Sequence, residues 1–127
     1  MKVLLDTCTF LWAVRASTLS DFAKSLILDA ENEVDVSAVT SWGDCDKHST
    51  GKLPLHSAPY IYVPTERKRH GLSALSLDED SALAVAKLPP LHNDPFDRML
   101  ICQAITSGMT LLTPDEQIHR YAVSLAW

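Results

Sequence analysis

Short, largely apolar runs separated by helix-length segments constrain the fold of this chain more than any other feature. Five such runs have the length of strands: Val3–Leu5, Val34–Val36, Leu75–Leu77, Met109–Leu112 and Ala122–Leu125. Short apolar runs of this kind are typical of strands that are buried on both faces. Because helical segments lie between them, the sequence predicts a parallel α/β sheet that is covered on both sides.

Helices are predicted between these strands from apolar spacing and from capping signals. No linker, repeat or low-complexity tract interrupts the pattern, so residues 1–127 are expected to form a single domain. The predicted helices lie around Phe10–Val14, from Ser20 to about Asn32, from Ser37 to about Gly51, over Tyr60–Leu72, from Asp78 to Pro89, over Pro95–Ser107, and from Thr113 onward.

Two carboxylates stand three residues apart where one of these helices begins. Asp94 suits the N-cap, Pro95 suits the first helical position, and Asp97 lies in the first turn. The unpaired backbone N–H groups of a first turn favour negative charge. Capping of the helix therefore explains these acids without an active site, and that interpretation stays open here.

Other acidic residues are expected at the same edge of the sheet. Asp6 directly follows the first strand, and Asp115 comes three residues after Leu112. The helix that begins with Asp94 and Asp97 leads into the strand that Asp115 follows. Parallel sheets bind ligands outside the carboxyl ends of their strands. Each acid also has a structural explanation, because Asp6 suits a helix cap and Thr113 with Glu116 resembles a capping box.

Such a carboxylate cluster would suit a divalent cation. Clustered carboxylates raise one another's pKa values, and a bound cation removes that repulsion. Mg²⁺ takes oxygen ligands and leaves room for phosphate oxygens, which makes phosphodiester hydrolysis available. A phosphatase using the same acids remains an alternative. The net charge of −5 argues against a broadly basic nucleic-acid surface, but a bound cation would offset clustered acids.

Composition limits the compartment and the kinds of site. The three cysteines, Cys8, Cys45 and Cys102, show no CxxC pattern, so neither a disulfide framework nor a zinc site is indicated. A reducing cytoplasm is the expected location. Asp6 interrupts the apolar start too early for a signal peptide, and no apolar run is long enough to span a membrane.

Several residues have both a structural and a functional interpretation, and the structural one is favoured for each. His92 is expected to be a solvated loop histidine rather than a metal ligand. The basic run Arg67–Arg69 is expected to be a solvated helix face rather than a contact for RNA phosphates. Trp12 and Trp42 are expected in the core rather than as platforms for stacked bases.

In combination, these segments resemble a PIN-domain ribonuclease, specifically a VapC-like toxin of a type II toxin–antitoxin pair. The resemblance implies a three-layer α/β/α fold with a mainly parallel sheet of four to five strands. The matching pieces are Leu4-Leu5-Asp6-Thr7, Val36-Ser37-Ala38-Val39-Thr40-Ser41-Trp42, His92-Asn93-Asp94-Pro95-Phe96-Asp97-Arg98 and Leu111-Leu112-Thr113-Pro114-Asp115. They cover nearly the whole chain in the family's order.

The resemblance also implies a function and a site. It implies a Mg²⁺- or Mn²⁺-dependent endoribonuclease that acts on RNA, forms a homodimer and pairs with an antitoxin protein. Asp6, Asp97 and Asp115 would hold the metal, and Asp94 would be an additional catalytic acid. Thr7 and Thr113 are supporting candidates, Thr113 through a metal-bound water.

One part of the pattern departs from the family. The family has a glutamate directly after this tryptophan, in a run such as Trp-Glu-Ile-Ala-Ile-Lys. Here the run is Trp42-Gly43-Asp44-Cys45-Asp46-Lys47. Asp46 lies near the same helical face as Gly43 and is a candidate substitute, although its side chain is shorter and one turn away. The alternative function is therefore a catalytically impaired PIN-fold module that binds an antitoxin or RNA.

The genetic code offers one origin for this departure. Gly-Asp-Cys-Asp can be encoded as GGA GAT TGC GAT, which reads Glu-Ile-Ala when the frame moves one base later. A local frame slip and ordinary drift in a decaying gene both explain the run Gly43-Asp44-Cys45-Asp46. Resequencing of the gene distinguishes them, since an in-frame series without a compensating insertion and deletion would reject the slip.

Overall fold

A computed structural model describes all of residues 1–127. Its strands are β1 (Lys2–Leu5), β2 (Glu33–Ser37), β3 (Ser73–Leu75), β4 (Thr110–Leu112) and β5 (Leu125–Ala126). They form one sheet in the order β3-β2-β1-β4-β5, and every neighbouring pair is parallel. This confirms the predicted parallel α/β fold.

Helices connect the strands and cover both faces of the sheet. They are α1 (Thr7–Arg15), α2 (Asp21–Leu28), α3 (Ala38–Ser49), α4 (Pro59–Arg69), α5 (Glu79–Ala84) and α6 (Pro95–Ser107), with short 3-10 turns at Val85–Lys87 and Ile118–Arg120. None of these helices combines the length and the hydrophobicity needed to cross a bilayer.

The strands divide their side chains between two hydrophobic cores, because successive residues of a strand point to opposite faces. Val3 and Leu5 of β1 pack on one face with residues from α1, α2 and α4. Leu4, between them in sequence, packs on the other face with Val39 of α3 and Leu100 of α6. The three-layer α/β/α arrangement follows from this alternation.

The carboxyl edge of the sheet brings several chain segments together. Leu5 at the end of β1 is in register with Leu112 at the end of β4, so the residues after both strands emerge side by side. α3 begins directly after β2 and therefore starts at the same edge. α6 leads into the start of β4, so its own first residues lie at that edge as well.

Some predicted boundaries are wrong. α2 ends at Leu28 rather than near Asn32, and β3 covers 73–75 rather than 75–77, where it pairs with β2. No regular helix follows Thr113; only the 3-10 turn at 118–120 forms before β5. Asp115 Oδ1 instead accepts from Gln117 N, 2.9 Å away, which closes a local turn in place of a helix cap.

Candidate active site

A pocket of about 300 Å³ opens at the carboxyl edge of the sheet and collects the predicted acids. Asp6, Asp94, Asp97 and Asp115 all line it, together with Thr7. Thr113 is completely buried just beneath, since its hydroxyl contacts Asp6. The tertiary structure therefore brings together acids that are far apart in sequence.

Asp6 has its capping role and its place in the pocket at the same time. Its Oδ1 accepts a hydrogen bond from Thr9 N at 2.7 Å, which caps α1, and its Oδ2 accepts from the Thr113 hydroxyl. The same hydroxyl accepts from Asp115 N at 3.1 Å. The Thr113 hydroxyl therefore links Asp6, the residue after β1, to the loop after β4 through hydrogen bonds.

Asp94 is the N-cap of α6, as predicted. Its Oδ1 accepts from Phe96 N at 2.8 Å and from Asp97 N at 3.3 Å. Pro95 occupies the first turn, and Gly108 ends the helix in the left-handed conformation with a φ of 64°. Capping fixes where α6 begins, and this in turn directs Asp97 into the pocket.

Asp97 is the pocket acid whose pKa is clearly raised. Burial, and after it the charges of Asp94, Asp6 and Asp115, raise the pKa of its carboxyl to about 6. His92 lowers it, because its Nε2 lies 3.0 Å from Asp97 Oδ2. The pocket therefore holds more negative charge than its own cations offset.

The raised pKa of Asp97 leads to a prediction for Asp97→Asn in metal-free protein. Asparagine can still accept from His92, but it carries no charge, so above pH 6 we expect the free energy of unfolding to rise by about 2 kcal/mol. In the wild type this penalty is full above pH 6 and disappears as pH falls towards 4, because the folded-state pKa is raised. Urea unfolding of the wild type and Asp97→Asn in EDTA, at pH 4.5 and pH 7.5, measures this difference in the free energy of unfolding.

The same variant tests the two interpretations of the acid. If Asp97 is a metal ligand, Asp97→Asn should also weaken Mn²⁺ binding. An unchanged Mn²⁺ affinity together with a less stable fold would instead show that Asp97 serves only the first turn of α6.

The helix α3 presents Gly43, not a carboxylate, to the pocket. A Cβ on Gly43 would lie 3.5 Å from Phe96 Cδ1, which is ordinary contact, so a side chain fits there. Asp46 is exposed and does not line the pocket, so the structure does not bring this candidate to the other acids. Asp44 is fully buried, and neither of its carboxylate oxygens has a hydrogen-bond partner.

Sequence reasoning missed two residues of this site. His92 is not a solvated loop residue, because only 11% of its side chain is exposed and it contacts Asp97. Lys47 is the one basic residue that lines the pocket, and its position four residues after Gly43 was a readable signal of a shared helix face. No local signal indicated the direction of the His92 ring.

The two tryptophans differ from the expectation of a core position. Trp42 is 65% exposed and packs edge-on against Phe96, with ring centroids 4.8 Å apart, so its assignment to the core was wrong. Trp12 is half-buried and lines the pocket. The basic run fits its predicted solvated helix face in part, since Lys68 and Arg69 are exposed at the end of α4 and lie outside the pocket.

The donor groups in the pocket suit a hard divalent cation. Carboxylate oxygens of Asp97 and Asp115, which line the pocket, and a ring nitrogen of His92 beside them all lie within 4.8 Å of one another. Carboxylate oxygens are the ligands that Mg²⁺ and Mn²⁺ prefer. The charges of Asp94, Asp6 and Asp115 add to burial in raising the pKa of Asp97, and a positive charge at this point would offset their repulsion.

VapBC proteins are among the solved structures that share this fold. VapBC2 from Rickettsia felis, bound to a DNA fragment from the promoter, has a TM-score of 0.76 at 15% identity, covering 100% of this chain and 99% of that one. DNA-bound VapBC from Salmonella typhimurium has a TM-score of 0.69 at 15% identity, and the match covers 99% of this chain and 97% of that one. VapBC-5 from Mycobacterium tuberculosis is a member of the VapBC family of toxin–antitoxin systems. It has a TM-score of 0.60 at 16% identity, and the match covers 98% of this chain and 95% of that one.

Sequence comparison gives the family. No curated protein matches the chain in sequence. Residues 61–124, just over half of the 127 residues, match the model of the PIN domain. This match includes α6 with its acids, β4 and Asp115. The chain therefore belongs to the PIN domain family.

Proposed function

We propose that this protein is a metal-dependent endoribonuclease that acts as the toxin of a toxin–antitoxin pair. The observation that carries the proposal is the pocket in which Asp6, Asp94, Asp97 and Asp115 meet at the carboxyl edge of the sheet. Membership of the PIN family and the fold shared with VapBC structures support it.

Asp6, Asp97 and Asp115 would hold Mg²⁺ or Mn²⁺, and Asp94 would add negative charge beside them. The cation would polarise a phosphate of RNA and lower the pKa of an attacking water. Asp94 accepts from the backbone of Asp97, and the Thr113 hydroxyl donates to Asp6. Asp97 and Asp6 are therefore oriented before substrate arrives. Lys47 at the pocket wall would offer its ammonium to a phosphate oxygen.

The partners are part of the same proposal. An antitoxin protein is proposed because the VapBC structures that share the fold include one described as belonging to a family of toxin–antitoxin systems. RNA is proposed as the substrate, and a homodimer as the assembly, from the resemblance of the four sequence segments to VapC-like toxins.

A second candidate function is a catalytically impaired module that binds an antitoxin or RNA without efficient cleavage. The position of Gly43 favours it, because α3 brings no carboxylate to a pocket that it helps to line. The two candidates share the fold and the partner and differ in the cleavage step.

Metal removal tests the proposed reaction. Purified protein should cleave a structured RNA when Mg²⁺ or Mn²⁺ is added, and slowly because of Gly43. Excess EDTA should abolish the products, because it removes the cation that would activate the attacking water. Cleavage that continues undiminished in EDTA would contradict the mechanism, and hydrolysis of a small phosphomonoester but not of RNA would indicate a phosphatase.

A further inference from the structure

We propose that His92 is a positioning residue whose Nε2–H group holds Asp97 by a hydrogen bond, with Asp115 beside it, and so prepares the cation site. This inference rests on the proposed function, because it concerns how Asp97, one of the proposed metal ligands, is held. It assigns the imidazole to the carboxylates rather than to the metal.

The His92 ring lies between the two acids. Nε2 is 3.0 Å from Asp97 Oδ2 and 3.7 Å from Asp115 Oδ2. The side chain of His92 is 11% exposed, compared with 38% for Asp115. Nε2 therefore hydrogen-bonds Asp97 from a position shielded from water, and Asp115 lies nearby but beyond hydrogen-bond distance.

The local backbone decides which ring nitrogen carries the proton. Asp94 N lies 3.3 Å from His92 Nδ1 and donates its hydrogen to it, which requires a lone pair on Nδ1. The proton of the ring is then on Nε2, the nitrogen that faces Asp97. A nitrogen that carries a proton has no lone pair for a metal, so this geometry favours a hydrogen-bond donor over a direct ligand.

The segment that carries His92 is fixed from several sides. The Tyr121 hydroxyl accepts from His92 N at 2.9 Å and donates to Pro89 O at 2.8 Å. Arg98, one residue after Asp97, donates to Pro89 O at 2.9 Å and to Leu88 O at 3.3 Å. α6 therefore holds the loop that places His92, as well as the acid that His92 contacts.

The hydrogen bond occupies only one oxygen of Asp97. His92 engages Oδ2, and Oδ1 of Asp97 makes no hydrogen bond within the protein. A cation can approach Oδ1 while His92 keeps Oδ2 in place. Hydrogen bonds to metal-binding carboxylates orient them, and their loss typically weakens metal affinity about tenfold to a hundredfold.

The test compares three proteins and uses two measurements that do not depend on cleavage. His92→Leu removes the donor, whereas His92→Gln keeps an amide N–H near the position of Nε2. We expect Mn²⁺ affinity, measured by electron paramagnetic resonance, to fall about tenfold or more in His92→Leu and to return largely in His92→Gln. Nitrogen NMR of metal-free wild type should show an unprotonated Nδ1 and a protonated Nε2.

Other outcomes would overturn the inference. Equal Mn²⁺ affinity in wild type and His92→Leu would show that His92 does not prepare the site, while the proposed function would stand. Nitrogen hyperfine coupling from His92 to bound Mn²⁺ would show that the ring is a ligand, and an unprotonated Nε2 in the metal-free protein would show that it does not donate to Asp97. A wild type that binds no Mn²⁺ and cleaves no RNA would remove both this inference and the proposed function.

Discussion

Replacing Asp44 by isoleucine is expected to stabilise the folded protein by about 3–5 kcal/mol at pH 8, the largest stability change that we predict. Asp44 lies in α3, is fully buried, and has no hydrogen-bond partner for either carboxylate oxygen. Burial raises the pKa of this carboxyl to about 7, although the charges of Lys47 and Arg15 lower it. Above pH 7 the folded chain therefore buries an unpaired anion.

The gain should depend on pH in a defined direction. The pKa of Asp44 is raised in the folded state, so its penalty is full above about pH 7, decreases as pH falls, and is absent near pH 4. At pH 4 the carboxyl is neutral but still lacks partners, so Asp44→Ile should gain only about 1–2 kcal/mol there. Other titrating groups are shared by both proteins and cancel in this comparison.

Two controls separate charge from packing. Asp44→Asn removes the charge but keeps the polar shape, so it should gain about 2–3 kcal/mol at pH 8 and almost nothing at pH 4. Asp46→Ile changes an exposed aspartate of the same helix and should have little effect. Urea unfolding at both pH values measures all four proteins. A gain for Asp44→Ile that is the same at pH 4 and pH 8 would show that ionisation of Asp44 is not the penalty.

Gly43→Glu is expected to raise ribonuclease activity and Mn²⁺ affinity, each by about tenfold or more. Gly43 lines the pocket that holds Asp6, Asp97 and Asp115, and a glutamate there adds a carboxylate from α3. Its Cβ would meet the Phe96 ring at ordinary distances of 3.5 to 3.8 Å. The substitution also removes a glycine from a helix interior, which is worth about 1 kcal/mol.

Gly43→Gln is the matched control, because it supplies the same length and helix propensity without the charge. Glutamine should reproduce the gain in stability but not the gain in Mn²⁺ affinity. Equal cleavage by the two variants would show that the missing acid does not limit activity. If Gly43→Glu combined with Asp44→Ile folds well, binds Mn²⁺ and still cleaves no RNA, the impaired binding module becomes the better description.

Sequence alone determined the fold class and the acids that were candidates for the site. Leu4, Val36 and Leu111 belong to strands whose composition requires cover on both faces, and this is enough to predict a parallel sheet. The N-cap at Asp94 was readable because capping depends on a few neighbouring residues. Asp6 and Asp115 were readable because they follow strands.

Only the tertiary structure decided which side chains share the pocket and which are buried. Gly43 and Asp46 are both on α3, but packing of α3 against α6 puts Gly43 beside Phe96 and leaves Asp46 in solvent. The place of His92 depends on Tyr121, which is distant in sequence and hydrogen-bonds the loop of His92. Contacts of this kind are set by how helices and loops pack on the sheet, and the local periodicity of a sequence does not encode them.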